Sequence, residues 1–262
     1  MLRPRIIPCL LVKNKGLVKT VKFASPKYVG DPVNAVRIFN EKEVDELMVL
    51  DIDATANRAE PDYQMIRDVA AECRMPLCYG GGVTALEQAI RIIKLGVEKI
   101  AISASGIANP ALVTEMARHV GNQSIVVVLD VRKNAVSDQF EVWTHNGTRF
   151  ASADPVALAK QAEDRGAGEL VINSIDRDGT MSGYDVGLVQ QIRQAVSIPI
   201  SVLGGAGSLR DIGSLIETFG IIGAAAGSLF VFKGVYKAVL INYPGRTQKA
   251  ALMASAMAGS RA

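Results

Sequence analysis

The stretch DELMVLDIDAT (Asp45–Thr55) returns in altered form as GELVINSIDRDGT (Gly168–Thr180), and this recurrence decides the fold. A second pair, MPLCYGGGVT (Met75–Thr84) and IPISVLGGAGS (Ile198–Ser208), follows each copy at the same distance. Glu46 and Glu169, Pro76 and Pro199, and Gly81 and Gly204 each stand 123 residues apart. A period of about 20–50 residues would indicate a solenoid. One this long indicates two related halves of a single fold.

Within each half, aliphatic or β-branched runs alternate with Gly-, Asp- or Ser-containing loops and amphipathic stretches of about ten residues, the pattern of repeated strand-helix units. Strands are predicted at Ile6–Leu11, Leu47–Asp51, Leu77–Tyr79, Lys99–Ser103, Ile125–Asp130, Leu170–Ser174, Ile200–Leu203 and Ile222–Ala226. Helices are predicted at Pro32–Glu41, Asp62–Glu72, Ala85–Leu95, Pro110–His119, Pro155–Arg165, Asp185–Ala195, Leu209–Phe219 and Lys233–Leu240. Pro in the first turn and Asp or Ser before it mark several of the starts. An open doubly wound sheet would carry a GxGxxG turn after an early strand, and none follows the first. The expected fold is α/β, a single (β/α)8 TIM barrel built from two related half-barrels. The barrel is assigned to residues 1–245, and residues 246–262, ending in ASAMAGSRA, are set apart as a C-terminal tail.

Two insertions break the rhythm. KNKGLVKTVKFASPKYVGDP (Lys13–Pro32) is a long basic loop after the first strand, on the side where barrel active sites lie. FEVWTHNGTRF (Phe140–Phe150) is expected to form a small hairpin turning at Asn146–Gly147, with Trp143 and His145 in packing or surface roles.

Composition narrows the function classes. Hydrophobic residues make up 49% of the chain and charged residues 21%, enough apolar surface for a sizeable core. The net charge of +3 comes from 29 basic and 26 acidic residues without runs, so neither a nucleic-acid patch nor a membrane-surface patch is expected. The start of the chain shows no charged-then-apolar targeting pattern, and the apolar run Ile221–Phe232 is too short to span a bilayer. The cysteines Cys9, Cys73 and Cys78 lack CxxC spacing, and with two histidines a zinc site has little to draw on. Reduced thiols in a cytoplasmic protein are expected, with no metal and no organic cofactor.

GGGVT (Gly80–Thr84) and GGAGS (Gly204–Ser208) each sit between a strand end and a helix start, where glycines let backbone approach an anion. Their equivalent places imply one phosphate site on each half, holding a doubly phosphorylated ligand through Gly81, Gly82, Gly204 and Gly205. The alternative is that they only make tight turns. AAAGSLF (Ala224–Phe230) would complete the second site through Gly227 and Ser228. Asp176 and Asp178, with Gly179 beside them, stand at the end of the sixth strand. Asp51 and Asp53 end the second strand and Asp130 the fifth, a set suited to acid-base work and to binding hydroxyl groups. At the opposite strand ends lie Arg5, Glu46, Lys99 and Glu169, which would pair, because an unpaired buried charge is costly. Such a ring either closes the barrel floor or forms a polar gate.

RIIPCL (Arg5–Leu10), DELMVLDI, GGGV, SIDRDGTMSGYD (Ser174–Asp185) and GGAG together resemble the cyclase subunit family of imidazole glycerol phosphate synthase, over Arg5 to Phe232. The resemblance implies a (β/α)8 barrel that binds a bis-phosphorylated ribulosyl aminoimidazole carboxamide across its mouth. It also implies a glutaminase partner docked on the N-terminal face, whose ammonia passes through the barrel. Arg5, Glu46, Lys99 and Glu169 match the family's gate, Lys19 its loop-one lysine, and Asp130 one of its two catalytic aspartates. The other catalytic aspartate falls at Leu11, and the repeat agrees, since LLVK from Leu10 aligns with LDVR from Leu129. The family's Asn-Thr pair at the first phosphate loop is Ser103 and Ala104 here, and its sixth-strand Thr is Asn173.

Three readings follow from the resemblance. In the favoured one the chain is a divergent paralogue that receives ammonia from a glutaminase and supports amidination of an acetamido sugar by a separate amidotransferase in surface-polysaccharide (O-antigen) biosynthesis. In the second it is a genuine cyclase of histidine biosynthesis, forming imidazole glycerol phosphate and aminoimidazole carboxamide ribotide with water or Asp51 replacing the missing carboxylate. In the third it is a non-catalytic scaffold that activates a glutaminase.

Overall fold

The structure, a computed structural model, describes residues 3–259. The first half runs β1 (Arg5–Lys13), β2 (Gly16–Val21), β3 (Ala24–Gly30), α1 (Pro32–Glu41), β4 (Leu47–Asp51), α2 (Tyr63–Glu72), β5 (Leu77–Gly80), α3 (Leu86–Lys94), β6 (Lys99–Ile102), α4 (Ala104–Ala108) and α5 (Pro110–Val120). The second half opens with β7 (Ile125–Lys133), the hairpin β8 (Phe140–Thr144) and β9 (Arg149–Ser152), α6 (Pro155–Asp164), β10 (Glu169–Ser174) and α7 (Val186–Arg193). It continues with β11 (Ile200–Leu203), α8 (Leu209–Phe219), β12 (Gly223–Ala226), α9 (Ser228–Val231), β13 (Phe232–Lys233), β14 (Ala238–Val239) and α10 (Arg246–Gly259).

Eight strands, β1, β4, β5, β6, β7, β10, β11 and β12, pair in parallel, and the β10–β7 and β12–β1 ladders close them into a barrel. This is the (β/α)8 barrel expected from the repeat. The helix starts carry the caps that the sequence advertises. Asp31, Asp62, Asp154 and Asp185 each accept from a backbone N–H three residues on, and Ser208 with Asp211 forms a capping box.

The period of two sorts each strand into an outer and an inner face. Outward residues such as Ile6, Leu10, Val49, Val127, Leu129 and Ile172 pack under the helices as the main core. Inward residues Ile7, Cys9, Met48, Cys78, Val126, Val128, Val171 and Ala225 form a separate apolar cluster filling the lumen, with Leu11 and Leu50 packed against it. Leu11, Asp130 and Asn173 share the inward parity of these residues, which is how a strand delivers them to the mouth.

Three local features depart from the sequence reading. The loop after the first strand is a hairpin, because β1 runs on to Lys13 and pairs antiparallel with β2. The predicted helix at Lys233–Leu240 does not form. Gly234 and Lys237 adopt positive φ (74° and 49°) and turn the chain back so that Phe232 and Lys233 pair with Val239 and Ala238. The helix of this last unit is α10, in the segment set apart as a tail, and Leu252 packs where a side chain on Gly213 of α8 would stand. Residues 260–262 of that tail lie outside the described residues. The β8–β9 hairpin turns where expected, with His145, Asn146 and Gly147 all at positive φ.

Candidate active site

At the amino ends of the strands four charges form a closed ring. Arg5 Nη1 donates to Glu46, and Arg5 Nη2 lies 2.7 Å from Glu169 Oε1. Lys99 Nζ lies 2.9 Å from both Glu46 carboxylate oxygens and 2.8 Å from Glu169 Oε2. Ser201 Oγ donates to Glu169 Oε1 at 2.6 Å. Burial pushes the Glu169 carboxyl up, but Lys99 and Arg5 outweigh it and hold the group below the ordinary glutamate range. The ring is thus a set of satisfied ion pairs beneath an apolar lumen.

At the carboxyl ends lies a cavity of about 620 Å³. The structure brings Leu11, Lys19, Gly81, Gly82, Ser103, Asp130, Asp178, Gly179, Gly204, Gly205, Gly227 and Ser228 to its walls. The two glycine loops face it from both halves. Gly81 has φ of 128°, and a Cβ there would stand 2.5 Å from the Asp51 carbonyl oxygen; its repeat mate Gly204 has φ of 93°, with the Ser174 carbonyl 2.6 Å away. Tight packing therefore requires glycine at both, and the same turns carry backbone to the cavity wall.

Lys19 extends from β2 into the mouth, where Nζ donates to the Cys9 carbonyl at 2.7 Å and would be 2.6 Å from a Cβ on Gly227. Burial lowers its pKa, against the opposing pull of Cys9 and Asp178. Asp178 ties the loop-one hairpin to the end of β10. Its Oδ2 accepts from Thr20 Oγ1 at 2.7 Å and from the Phe23 N–H at 3.1 Å. Burial raises the Asp178 carboxyl while these donors oppose the rise.

Asp130 is the carboxylate best placed for acid-base work. Burial pushes its pKa up to about 6, opposed by the amide of Asn173, whose Nδ2 donates to Oδ1 at 2.8 Å, and aided by the nearby Asp178. On β1, four strands away across the mouth, Leu11 presents a hydrocarbon to the same cavity. Asp51 also reaches the cavity, but its Oδ1 already accepts from the Asp53 and Ala54 N–H groups.

Asp176, expected to bind substrate, is not brought to the cavity. A single 3-10 turn over Ile175–Arg177 points it away, and its Oδ2 accepts from the Lys133 N–H at 2.8 Å. Asp53 likewise stays outside, accepting from the Asn14 N–H. Conversely His145, read as a packing or surface residue, lines the cavity wall with Asn146, and burial lowers its pKa. Thr20 and Phe23 line it too, positions carrying no sequence signal beyond their place in a long loop. Among the described residues no cluster of three or more His, Cys, Asp or Glu is arranged to hold a metal ion, and no helix is long and apolar enough to cross a membrane.

The family described as histidine biosynthesis protein matches residues 5–237 of the chain. The chain belongs to this family. Within the histidine biosynthesis family it is HisF-like. A Leptospira interrogans protein named "Putative imidazole glycerol phosphate synthase subunit HisF" is 56% identical over 252 residues, covering 96% of this chain and 99% of the relative. A Pseudomonas aeruginosa protein named "Putative imidazole glycerol phosphate synthase subunit hisF2" is 51% identical over 93% of this chain and 97% of its own length. The "Imidazole glycerol phosphate synthase subunit HisF" of Lactiplantibacillus plantarum is 42% identical over 88% of this chain and 92% of its own.

Proposed function

We propose that the chain is the ammonia-using, cyclase-like subunit of a heterodimer, with a glutaminase docked over the ring of Arg5, Glu46, Lys99 and Glu169. Its ammonia serves amidination of an acetamido sugar in surface-polysaccharide biosynthesis, carried out by a separate amidotransferase. The free thiols Cys9, Cys73 and Cys78 agree with a reducing, cytoplasmic setting. In this reading the ion-pair ring opens to admit ammonia and the packed apolar side chains of the lumen part for its passage, while the glycine loops supply backbone for a phosphorylated ligand.

The observation that carries this reading is Leu11. Addition of ammonia to the ribulosyl carbonyl, closure of the imidazole ring and release of the carboxamide ribotide each move protons and call for an acceptor and a donor beside the reacting atoms. Loss of one general acid-base group costs roughly 10²- to 10⁴-fold. Here one side of the mouth is Asp130 and the other is Leu11, while Asp51 has one carboxylate oxygen committed to two backbone amides. The opposite reading, a genuine cyclase using Asp51 or water, is separated by one assay. Purified chain is given ammonium salt and the bis-phosphorylated ribulosyl substrate, and formation of imidazole glycerol phosphate is followed. Turnover at least 10²-fold below that of a family member with both aspartates is expected. Turnover within a few-fold of such an enzyme overturns the proposal. A scaffold role would show as glutaminase activation on complex formation with ammonia released to bulk solvent.

A further inference from the structure

The lumen-facing end of β10 carries an amide with one arm engaged and one arm free. Asn173 is 5% exposed and sits opposite Asp130 in the β10–β7 register. Its Nδ2 donates to Asp130 Oδ1 at 2.8 Å. A carboxylate only accepts, so the amide nitrogen must face it and the amide oxygen must face elsewhere. That oxygen, Oδ1, is buried and has no hydrogen-bond partner among the described residues. It lies against the second glycine loop, where a Cβ on Gly204 would stand 3.3 Å from it. Asn173 also lines the mouth cavity. Buried acceptors are nearly always paired, so an oxygen left free here is suited to a donor carried by a ligand.

Ser103 Oγ is a second buried polar atom of the cavity lining without a partner among the described residues, beside the first glycine loop. The two orphans differ in character. Ser103 has a hydrogen to give, as an anionic oxygen requires, whereas Asn173 Oδ1 can only accept.

We propose that Asn173 is a specificity-determining residue of the mouth cavity, its Oδ1 accepting a hydrogen bond from a hydroxyl or amino group of a phosphorylated ligand seated between Asp130 and the Gly204 loop. This rests on the reading that the glycine loops hold a phosphorylated ligand. The class it selects is a polyol or amino-sugar phosphate whose donor stands a few bonds from the phosphorus. A phosphate ester without such a donor leaves the buried Asn173 oxygen without a partner and is disfavoured.

The test uses the full chain and two probes of matched size, glycerol 3-phosphate and propyl phosphate, titrated calorimetrically at pH 7.5. The parent is expected to bind glycerol 3-phosphate roughly tenfold more tightly, the effect of one hydrogen bond to a buried acceptor. Asn173→Leu, close in volume and apolar like the lumen, is expected to bring the ratio to near one with propyl phosphate affinity unchanged. Asn173→Ala, with no bulk to misfit, gives the same ratio if the Leu variant folds poorly. Equal binding of the probes by the parent overturns the proposal, as does a preference that survives both substitutions. If neither probe nor inorganic phosphate binds the parent, the phosphate reading of the cavity fails first and this inference falls with it.

Discussion

Leu11 and Asp130 lie on symmetry-related strands four apart in the barrel and line one cavity, a hydrocarbon where the other half keeps a carboxylate. The lost group is a matter of one side chain, because the backbone around Leu11 still pairs with β2 and β4 in regular register. Leu11→Asp is therefore expected to restore a proton acceptor and raise ammonia-dependent turnover of the ribulosyl substrate by on the order of 10²-fold. The same change removes a residue packed on the lumen cluster, so a loss of about 1–3 kcal/mol in chemical denaturation accompanies it. Substrate binding without any gain in turnover would show that the second aspartate is not what the mouth lacks.

The ring at the floor is held by two carboxylates, each paired with both cations. Removing Glu169 alone leaves Arg5 and Lys99 each short of a carboxylate inside the barrel. Glu169→Ala is expected to destabilise the fold by about 3–5 kcal/mol, read from urea midpoints. The pH dependence has a definite sign. The native Glu169 carboxyl lies below its unfolded value of about 4.3, so its contribution is present above that pH and is lost as pH falls through the lower native value. The variant's midpoint is expected to approach the parent's only in that acidic range.

Asp130 behaves in the opposite sense. Its native pKa of about 6 lies above the unfolded value near 3.9, so the fold favours the protonated form and loses stability as pH rises from about 4 through 6. Asp130→Asn is expected to raise the melting temperature at pH 8 by roughly 2–4 °C for each kcal/mol released. The gain shrinks to nothing below pH 4 in scanning calorimetry. A gain that is constant across pH would assign the effect to packing instead of charge.

Asp178 is the tie between loop one and the barrel. Its carboxylate accepts from Thr20 and from the Phe23 N–H, and hydrogen bonds to a charged group contribute about 1.5–3 kcal/mol each. Asp178→Ala is expected to loosen the β2–β3 hairpin and speed tryptic cleavage after the exposed Lys22 and Lys27 at least tenfold. Unchanged cleavage would mean that the β1–β2 ladder alone holds the hairpin.

Much of this architecture is written in the residues. The 123-residue offset announces two halves, and period-two alternation in β1 sends Arg5, Ile7, Cys9 and Leu11 inward. The eighth unit misled because FVFKGVYKAVL carries both alternation and helix-compatible residues. Gly234 then decides for a turn, and the helix shifts downstream to α10. Asp176 and Asp178 lie two residues apart in one loop and could not be told apart by type or spacing. The 3-10 turn that contains Asp176 and ends before Asp178 sends the first to the Lys133 N–H and the second to the cavity.

The sequence by itself determined the barrel, its two halves and the charged set at the floor, because each follows from local periodicity or from the internal repeat. The family resemblance, with which the repeat agrees, marked the missing carboxylate at Leu11. Only the tertiary structure decided which polar groups share the cavity and which of their atoms are free. That Asn173 spends its nitrogen on Asp130 and keeps its oxygen unpaired depends on a register between β7 and β10. Pairing across 43 residues is fixed by closure of the whole sheet, and no local pattern encodes it.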